Sequence, residues 1–482
     1  MTHQQLEARR VPGTPSVLMT EFDLAPHGYV REEWFVTGRA TSYSGKHLTG
    51  DGRWSVTPDQ EASYTTRLVV VRPTEEARFS GTAVVEWLNV SGGRDAAPDW
   101  LFTHREIVRR GQVWVGVTAQ KAGVDGGGLR DDQHLRRADP DRYAELEHPG
   151  DAFSFDIYGQ AAAAVRQGGA LVGGLRPTTV LATGESQSAI FLTTYVNAID
   201  PLDRVVDGVL LHGRSVRGAW LDGTLWDVRR LAAETMRRPS LPGHLIRDDA
   251  RVPVLTVQSE TDVVLMLSGL ARQPDSDRFR LWEVAGASHF DMYGLRAAYR
   301  DDGLLDLGDA VHRLAEDLQP ISDPRGVRTS APVNCGPQQH YVLQAALRAL
   351  ESWVREGEAP ASAPRISTRA FQPLRLRRDA MGLALGGVRT PFVEAPVHTL
   401  SGLGQTTPGF GLLFGSTHPF TAGQLARRYP GGIEEYVEDF TAASRAAVAA
   451  GFLVPEDEAE ILALGARIYP TGERPTAVPA GG

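Results

Sequence analysis

Short, mostly apolar runs alternate with segments of helical spacing through the first three quarters of the chain. The runs that predict buried strands are TAVVEWLNV (82–90), QVWVGVTAQ (112–120), TTVLATG (178–184), VDGVLLHG (206–213), VPVLTVQS (252–259) and FRLWEVAG (279–286). Apolar residues at three- and four-residue spacing predict helices over 98–111, 152–169, 187–199 and 338–357. This alternation predicts an α/β fold with a mostly parallel central sheet covered by helices on both faces.

The two ends of the chain depart from this pattern. Residues 32–73 end in the alternating run TTRLVVVRP, which predicts antiparallel strands before the regular part begins. Beyond the Pro- and Ala-rich connector EGEAPASAPR, the runs become mainly helical. We therefore expect a main domain over residues 1–357, a C-terminal helical appendage over 366–470 that packs on it, and a flexible tail over 471–482.

Charge and composition exclude several classes of partner. The 482 residues carry a formal net charge of -9, and no basic stripe alternates with aromatic residues, so nucleic acid is not an expected partner. No run of about eighteen apolar residues and no apolar core of signal-peptide length occurs, so we expect no membrane association. Cys335 is the only cysteine, which rules out an internal disulfide and favours the cytoplasm. No metal site or cofactor is expected, because the clustered carboxylates of 130–142 lack ligand spacing.

The stretch TTVLATGESQSAIFLTTY, residues 178–195, carries the clearest candidate chemistry. A nucleophile elbow holds its serine in a strained turn between a strand and a helix, so the residues two before and two after it must be small. Gly184 and Ser188 meet this requirement around Ser186. The same loose pattern surrounds Ser42 and Ser444, but neither serine follows a predicted buried strand. Only Ser186 has the context that the mechanism requires.

Together with WLNVSGG, QSETD and WEVAGASHFD, the GESQS motif resembles the α/β-hydrolase superfamily and, more narrowly, a group known as alpha/beta hydrolase domain proteins. The resemblance extends through nearly the whole chain and implies serine-esterase chemistry. It departs from the usual GxSxG only in having Ser188 at the last small position. It also implies that the Trp-, Leu- and Arg-rich stretch from about 214 to 251 is a lid insertion.

In this fold the nucleophile is followed along the chain by an acid and then by a histidine. We expect Asp262 to be the acid, because VQSETDVV resembles the strand-to-acid loop of many α/β-hydrolases, and Glu260 is its close competitor. His289 follows the last strong strand and is the expected base. His212, directly after a strand, is its main rival, but it precedes the acid.

The negative charge formed on attack requires two backbone donors. One should be the amide of Gln187, and the other should come from the loop after the EWLN strand, where we favour Val90 over its neighbours Asn89 and Ser91. The candidates for substrate contacts are Asn89, Glu185, Trp220 and Trp226. The two tryptophans fit an acyl pocket and the packed interior of a lid equally well.

These residues predict a serine hydrolase that cleaves a small-molecule carboxylic ester through an acyl-enzyme, without a cofactor. Two alternatives stay open: an acyltransferase that uses the same residues, and a binding protein on a hydrolase scaffold. The sequence does not define the acyl and alcohol groups of the ester, and it leaves the oligomeric state open.

Overall fold

The structure is a computed structural model that describes residues 6–45, 48–128, 132–225, 243–371 and 374–470. Within these residues nine strands form one sheet: Glu7–Val11 (β1), Tyr29–Ser44 (β2), Thr57–Pro73 (β3), Thr82–Trp87 (β4), Val113–Val117 (β5), Thr179–Glu185 (β6), Gly208–His212 (β7), Val254–Ser259 (β8) and Phe279–Val284 (β9). Their order across the sheet is β1-β2-β3-β5-β4-β6-β7-β8-β9.

Strand direction divides this sheet into two parts. Strand β2 pairs antiparallel with β1 on one side and with β3 on the other, and β3 pairs antiparallel with β5. From β5 to β9 every neighbouring pair is parallel. This confirms the predicted mostly parallel sheet with an antiparallel beginning.

Helices cover both faces of the sheet. The helices before residue 357 are Pro98–Arg109, Lys121–Asp125, Leu135–Ala138, Ser154–Gln167, Gln187–Thr194, Asp200–Asp203, Glu260–Val264, Ala298–Arg300, Leu307–Asp317 and Gln338–Glu356. The helix predicted over 187–199 is α-helical only to Thr194 and continues as a π-helix, Tyr195–Ile199. The widened turn comes just before Pro201, whose missing N–H cannot continue α-helical bonding.

The core lies on both sides of the parallel strands, because successive residues of a strand point to opposite faces. In β6, Leu181 belongs to the apolar cluster that includes helices Pro98–Arg109 and Gln338–Glu356. Its neighbours Val180 and Ala182 belong to the cluster on the other face, with helices Ser154–Gln167 and Gln187–Thr194. Burial on both faces explains why these strands are apolar without alternation.

The C-terminal residues contain both helices and short strands. The helices are Pro391–Glu394, Ala422–Arg428, Ile433–Ala449 and Glu458–Ile468, and the strands form two hairpin-like pairs, Thr368–Phe371 (β10) with Leu374–Leu376 (β11) and His398–Ser401 (β12) with Ser416–Pro419 (β13). Phe392, Phe440 and Leu464 lie in the same apolar cluster as helix Gln338–Glu356. The segment thus shares a core with the sheet domain.

Three further features bear on the predictions. Among the described residues, no helix combines the length and apolarity needed to cross a bilayer. In the predicted lid, the described parts 214–225 and 243–251 contain neither helix nor strand. The middle of that stretch and the tail over 471–482 lie outside the described residues.

Candidate active site

Ser186 occupies the sharp turn between β6 and the helix Gln187–Thr194. Its backbone has φ 57° and ψ -116°, a conformation that L-residues avoid at a cost of about 1–3 kcal/mol. Two backbone hydrogen bonds hold it there: its N–H donates to the carbonyl of His212 over 2.8 Å, and its own carbonyl accepts the N–H of Ile190 over 3.0 Å. The turn is the strained elbow that the motif predicts.

The small residues around Ser186 are required by close packing. A Cβ atom at Gly184 would come within 2.9 Å of the Ser188 Cβ and 3.0 Å of a Leu192 methyl group, so glycine alone fits without displacement. Ser188 is fully buried, and its hydroxyl has no hydrogen-bond partner among the described residues. The space for the Ser188 side chain, at the position where the usual motif has glycine, exists because Gly184 has no Cβ.

His289 and Asp262 meet Ser186 at the carboxyl ends of the parallel strands. The Oγ of Ser186 lies 2.8 Å from Nε2 of His289, and Nδ1 of His289 lies 2.5 Å from Oδ1 of Asp262. The histidine is 3% exposed and the aspartate 1%. The peptide of His289 is fixed as well, since its N–H donates to Thr261 Oγ1 and its carbonyl accepts the side-chain amide of Gln339. The structure thus brings the three predicted side chains together in hydrogen-bonded sequence.

Asp262 is held by a helix cap and not by the expected loop. It is the third residue of the helix Glu260–Val264, in which Ser259 and Asp262 form a reciprocal capping box. Asp262 Oδ2 accepts the N–H of Ser259 over 2.6 Å and its hydroxyl over 2.8 Å. Because Oδ2 is occupied in this way, Oδ1 is the oxygen that faces His289.

Glu260, the competing acid, faces away from His289. Its Oε1 accepts the N–H of Gly286 over 2.8 Å. Its Oε2 accepts the N–H of Gly402, the hydroxyl of Ser401 and the guanidinium of Arg378, over 3.1, 3.1 and 3.0 Å. Glu260 is fully buried among these donors, so it ties the helix Glu260–Val264, the acid helix, to the C-terminal segment.

His212, the competing base, forms a separate buried pair. Its Nδ1 lies 2.8 Å from Oδ1 of Asp99, and the other oxygen of Asp99 accepts the hydroxyl of Thr183 over 2.5 Å. Burial opposes the charged imidazole, but the hydrogen bond and the charge of Asp99 outweigh it and raise the pKa of His212. Only the backbone carbonyl of His212 reaches Ser186.

Two backbone N–H groups, one in the turn after β4 and one directly after Ser186, have no hydrogen-bond acceptor among the described residues. The N–H of Asn89 donates to the carbonyl of Ala96 over 2.9 Å, and that of Ser91 donates to the Asn89 side-chain oxygen over 2.8 Å. The N–H groups of Val90 and Gln187 have no hydrogen-bond partner within the part of the chain that the structure describes. Of the three neighbouring residues 89 to 91, only Val90 therefore offers a free amide.

A buried ion pair supports the turn that carries Val90. Arg67 and Asp95 are in contact, and both side chains are fully buried. Arg67 also pairs with buried Glu33 over 3.3 Å and donates to the Thr118 hydroxyl over 2.9 Å. The guanidinium thus anchors residue 95, close to where the turn from Asn89 closes against Ala96. Because these partners are distant in sequence, no local pattern could have identified this network.

Glu185 and Asn89, both predicted to contact substrate, are bound to each other beneath the elbow. Oε2 of Glu185 accepts the side-chain N–H of Asn89 over 3.0 Å, and Oε1 lies 3.1 Å from Nε2 of His289. Burial raises the pKa of the Glu185 carboxyl to about 7, although the charges of His289 and His212 act in the opposite direction. The sequence contained one signal of this contact, a carboxylate directly before the nucleophile.

The imidazole of His289 is strongly biased toward its charged form. Burial alone would lower its pKa, but the charges of Asp262 and Glu185, together with the hydrogen bond to Asp262, raise the pKa to about 9. Gly213 packs against the same ring, because a Cβ there would lie 3.1 Å from His289 Cε1. The pKa of the ring therefore depends on Asp262 and Glu185, and the space around it depends on the absence of a side chain at Gly213.

The remaining candidates contribute less to this geometry. Trp220 is 38% exposed on the described part of the predicted lid, while Trp226 lies outside the described residues. Cys335 is buried, and burial raises the pKa of its thiol to about 11, which favours the protonated thiol at neutral pH. Among the described residues, no group of three or more His, Cys, Asp or Glu side chains could hold a metal ion.

Solved structures similar to this chain include three hydrolases with low sequence identity. Acetyl xylan esterase 1 from Thermoanaerobacterium is 12% identical, with 58% of this chain and 80% of that chain covered and a TM-score of 0.29. A glucuronoyl esterase from Teredinibacter turnerae is 13% identical, with 58% and 74% covered and a TM-score of 0.29. A dienelactone hydrolase from Anabaena variabilis is 12% identical, with 51% and 86% covered and a TM-score of 0.25.

Comparison with sequences gives two results. No curated protein sequence matches the chain. The family model described as "Alpha/beta hydrolase domain" matches residues 4–463, which is nearly the whole sequence. The match includes the elbow, the acid helix, the histidine loop (residues 285–291, with His289) and most of the C-terminal segment. The chain therefore belongs to the alpha/beta hydrolase domain family.

Proposed function

We propose that this protein is a serine hydrolase that cleaves small-molecule carboxylic esters through an acyl-enzyme. The observation that carries the proposal is the continuous chain from Ser186 Oγ through both nitrogens of His289 to Asp262 Oδ1, with separations of 2.8 and 2.5 Å. A hydroxyl in a strained turn, a buried base and a buried carboxylate form the arrangement that activates serine in acyl transfer.

The proposed reaction starts when Ser186 Oγ attacks the ester carbonyl and His289 Nε2 takes its proton. The C–O π bond opens, and the negative charge on the former carbonyl oxygen is bound by the N–H groups of Val90 and Gln187. Asp262 accepts the hydrogen bond from Nδ1 and holds the imidazolium in place. The imidazolium then protonates the leaving alcohol, and the acyl group stays on Ser186.

Deacylation repeats these steps with water in place of serine. His289 removes a proton from water as the hydroxyl adds to the acyl carbonyl, and it then returns the proton to Ser186 Oγ, which releases the carboxylic acid. Each free amide of the anion site contributes about 2.7–4 kcal/mol to the barrier reduction. Apart from the ester and water, the proposed steps use only side chains and backbone amides of this chain.

The experiment is covalent labelling with a fluorophosphonate, followed by hydrolysis of p-nitrophenyl esters of increasing acyl length. We expect wild-type protein to be labelled at Ser186 and to turn over at least one ester, and Ser186→Ala to lose both properties. Ser444→Ala is the matched control, since Ser444 is a buried serine in the same small-x-Ser-x-small pattern but inside the helix Ile433–Ala449. Ester hydrolysis that survives Ser186→Ala would refute the proposal.

Product analysis with added alcohol separates hydrolysis from acyl transfer. If the acyl group appears mainly on the added alcohol, the same acyl-enzyme serves a transferase. A folded wild-type protein that neither reacts with the label nor cleaves any ester of the series would favour a binding role for the scaffold.

A further inference from the structure

We infer that Glu185 is a second carboxylate on the catalytic imidazole, which it contacts at Nε2 while Asp262 contacts Nδ1, and that it stabilises the imidazolium formed when Ser186 gives up its proton. This inference rests on the proposed function. It assigns to Glu185 a role in setting the base strength of His289 and thereby the pH range of the reaction.

The contact involves the nitrogen that carries the transferred proton. Nε2 of His289 lies 2.8 Å from Ser186 Oγ and 3.1 Å from Glu185 Oε1. One N–H at Nε2 can therefore be shared between the hydroxyl oxygen and the carboxylate oxygen. The side chains of His289 and Glu185 are only 3% and 6% exposed, so water screens their attraction weakly.

Asn89 fixes the direction of the carboxylate. Its side-chain N–H group donates both to Glu185 Oε2 over 3.0 Å and to the Glu185 backbone carbonyl over 3.1 Å. With Oε2 held in this way, Oε1 is left toward His289. The side-chain oxygen of Asn89 accepts the N–H of Ser91 over 2.8 Å, so the same amide also shapes the turn that leaves Val90 free.

Four titratable groups face Glu185 from the surrounding elements. The positive forms of His289 and His212 favour its ionised state, while the charges of Asp99 and Asp262 oppose it. Asp99 and His212 form their own hydrogen-bonded pair, and Asp262 is bonded to His289. His289 is thus the nearest cation-forming group for Glu185, and a change of charge on either group must be felt by the other.

This coupling has a cost at neutral pH and a benefit during the reaction. The pKa of Glu185 is about 7 and that of His289 is about 9, so near neutral pH the two groups together retain a proton that His289 must lose before it can act as a base. Once His289 is neutral, the ionised Glu185 favours transfer of the Ser186 proton to Nε2, because positive charge develops beside it. The acidic limb of the pH profile should therefore lie above the ordinary histidine value of about 6.5.

The test compares wild type with Glu185→Gln, which keeps the size of the side chain and an oxygen for Asn89. The measured quantity is kcat/KM for p-nitrophenyl acetate as a function of pH, corrected for the uncatalysed reaction. Removal of the negative charge destabilises the imidazolium, so we expect the acidic limb to move down by about one pH unit or more. The plateau at high pH should fall by about tenfold, because the base becomes weaker. Glu61→Gln, which removes an exposed charge that pairs with Arg39 near the start of β3, is the control and should leave the profile unchanged.

An acidic limb of Glu185→Gln that coincides with that of wild type would overturn the inference. If this variant is recovered unfolded, the titration of the His289 ring in wild-type protein, followed by NMR, decides the question. We expect two steps, one from the titration of Glu185 and one from the ring itself, and a single step at the ordinary histidine pKa would overturn the inference.

Failure of this inference differs from failure of the proposed function. If Ser186 is labelled and required for turnover while Glu185→Gln leaves the pH profile in place, only the role of Glu185 is wrong. If Ser186→Ala retains activity, the proposed acyl-enzyme mechanism is wrong, and the proposed role of Glu185 in that mechanism falls with it.

Discussion

Asp262 and Glu260 lie two residues apart on the acid helix, but replacing each by its amide should have a different effect. Asp262→Asn should lose activity with little change in stability, and Glu260→Gln should lose stability with little change in activity. In Asp262→Asn, the side-chain oxygen should occupy the position of Oδ2, because Ser259 presents two donors there, at 2.6 and 2.8 Å. The amide NH₂ then faces Nδ1 of His289 at the position now 2.5 Å away. Nδ1 must accept this hydrogen bond, so the ring proton moves to Nε2, and Nε2 can no longer accept the proton of Ser186.

The loss from this wrong tautomer should be about 10⁴ in kcat, which corresponds to about 5.5 kcal/mol of barrier. The fold should be nearly unaffected, because the capping oxygen is retained. The assay is kcat and KM for a short p-nitrophenyl ester, measured alongside thermal unfolding. If Asp262→Asn keeps more than about a tenth of wild-type kcat, the tautomer argument is wrong.

Glu260→Gln is the matched variant, two residues earlier on the same helix. Glu260 accepts four hydrogen bonds, and one of its donors is the charged Arg378. A glutamine has a single oxygen for these donors, so one buried N–H and the charge of Arg378 lose their partner. We expect the free energy of unfolding to fall by about 3 kcal/mol, while the folded fraction keeps kcat within about threefold. A folded Glu260→Gln protein as inactive as Asp262→Asn would make Glu260 the acid.

Two further changes test the surroundings of the imidazole and the pH dependence of stability. Gly213→Ala places a Cβ 3.1 Å from His289 Cε1, at φ 64°, and should lower kcat/KM by at least about tenfold. The control is Gly451→Ala, at φ 77° with no atom within 4 Å of the added Cβ, which should lower only the melting temperature. Equal activities of the two variants would refute the steric argument. Burial raises the pKa of Asp291 to about 7, so between about pH 4 and 7 the folded protein binds more protons than the unfolded chain and loses stability as pH rises. In urea unfolding, the free energy of unfolding of Asp291→Asn relative to wild type should therefore increase by about 2 kcal/mol from about pH 5 to about pH 7, and a difference that does not change with pH would contradict the shift.

Local patterns were sufficient to predict the sheet and the elbow. The strands β4 to β9 are apolar on both faces, which leaves a continuous signal in the sequence. The elbow leaves a local signal as well, because Ser186 and the small residues Gly184 and Ser188 that pack around it lie within five consecutive positions. His289 was the predicted base because of its place after the last strand, and its Nε2 lies 2.8 Å from Ser186 Oγ in the structure.

The choice between Asp262 and Glu260 could not be made from local pattern alone. The sequence predicted a loop, in which either side chain could turn toward the base, but the structure forms a helix there. Residues two apart on a helix point in different directions, so Asp262 faces His289 and Glu260 faces the C-terminal segment. In the same way, the free amide of Val90 depends on which neighbours Asn89 and Ala96 bond across the turn, and no spacing rule contains that information.

The C-terminal segment, predicted as an appendage that packs on the main domain, contacts the residues that surround the candidate site. Thr261 illustrates this, because its hydroxyl donates to the carbonyl of Gly402 and accepts the backbone N–H of His289. Gly402 approaches so closely that a Cβ there would lie 2.4 Å from the Ala287 carbonyl and 2.6 Å from the Glu260 Cβ. The acid helix and the histidine loop are therefore fixed against each other by a residue more than a hundred positions further along the chain. A change that displaces Gly402 should therefore alter the separation between Asp262 and His289, so the geometry of the candidate site depends on residues far along the chain.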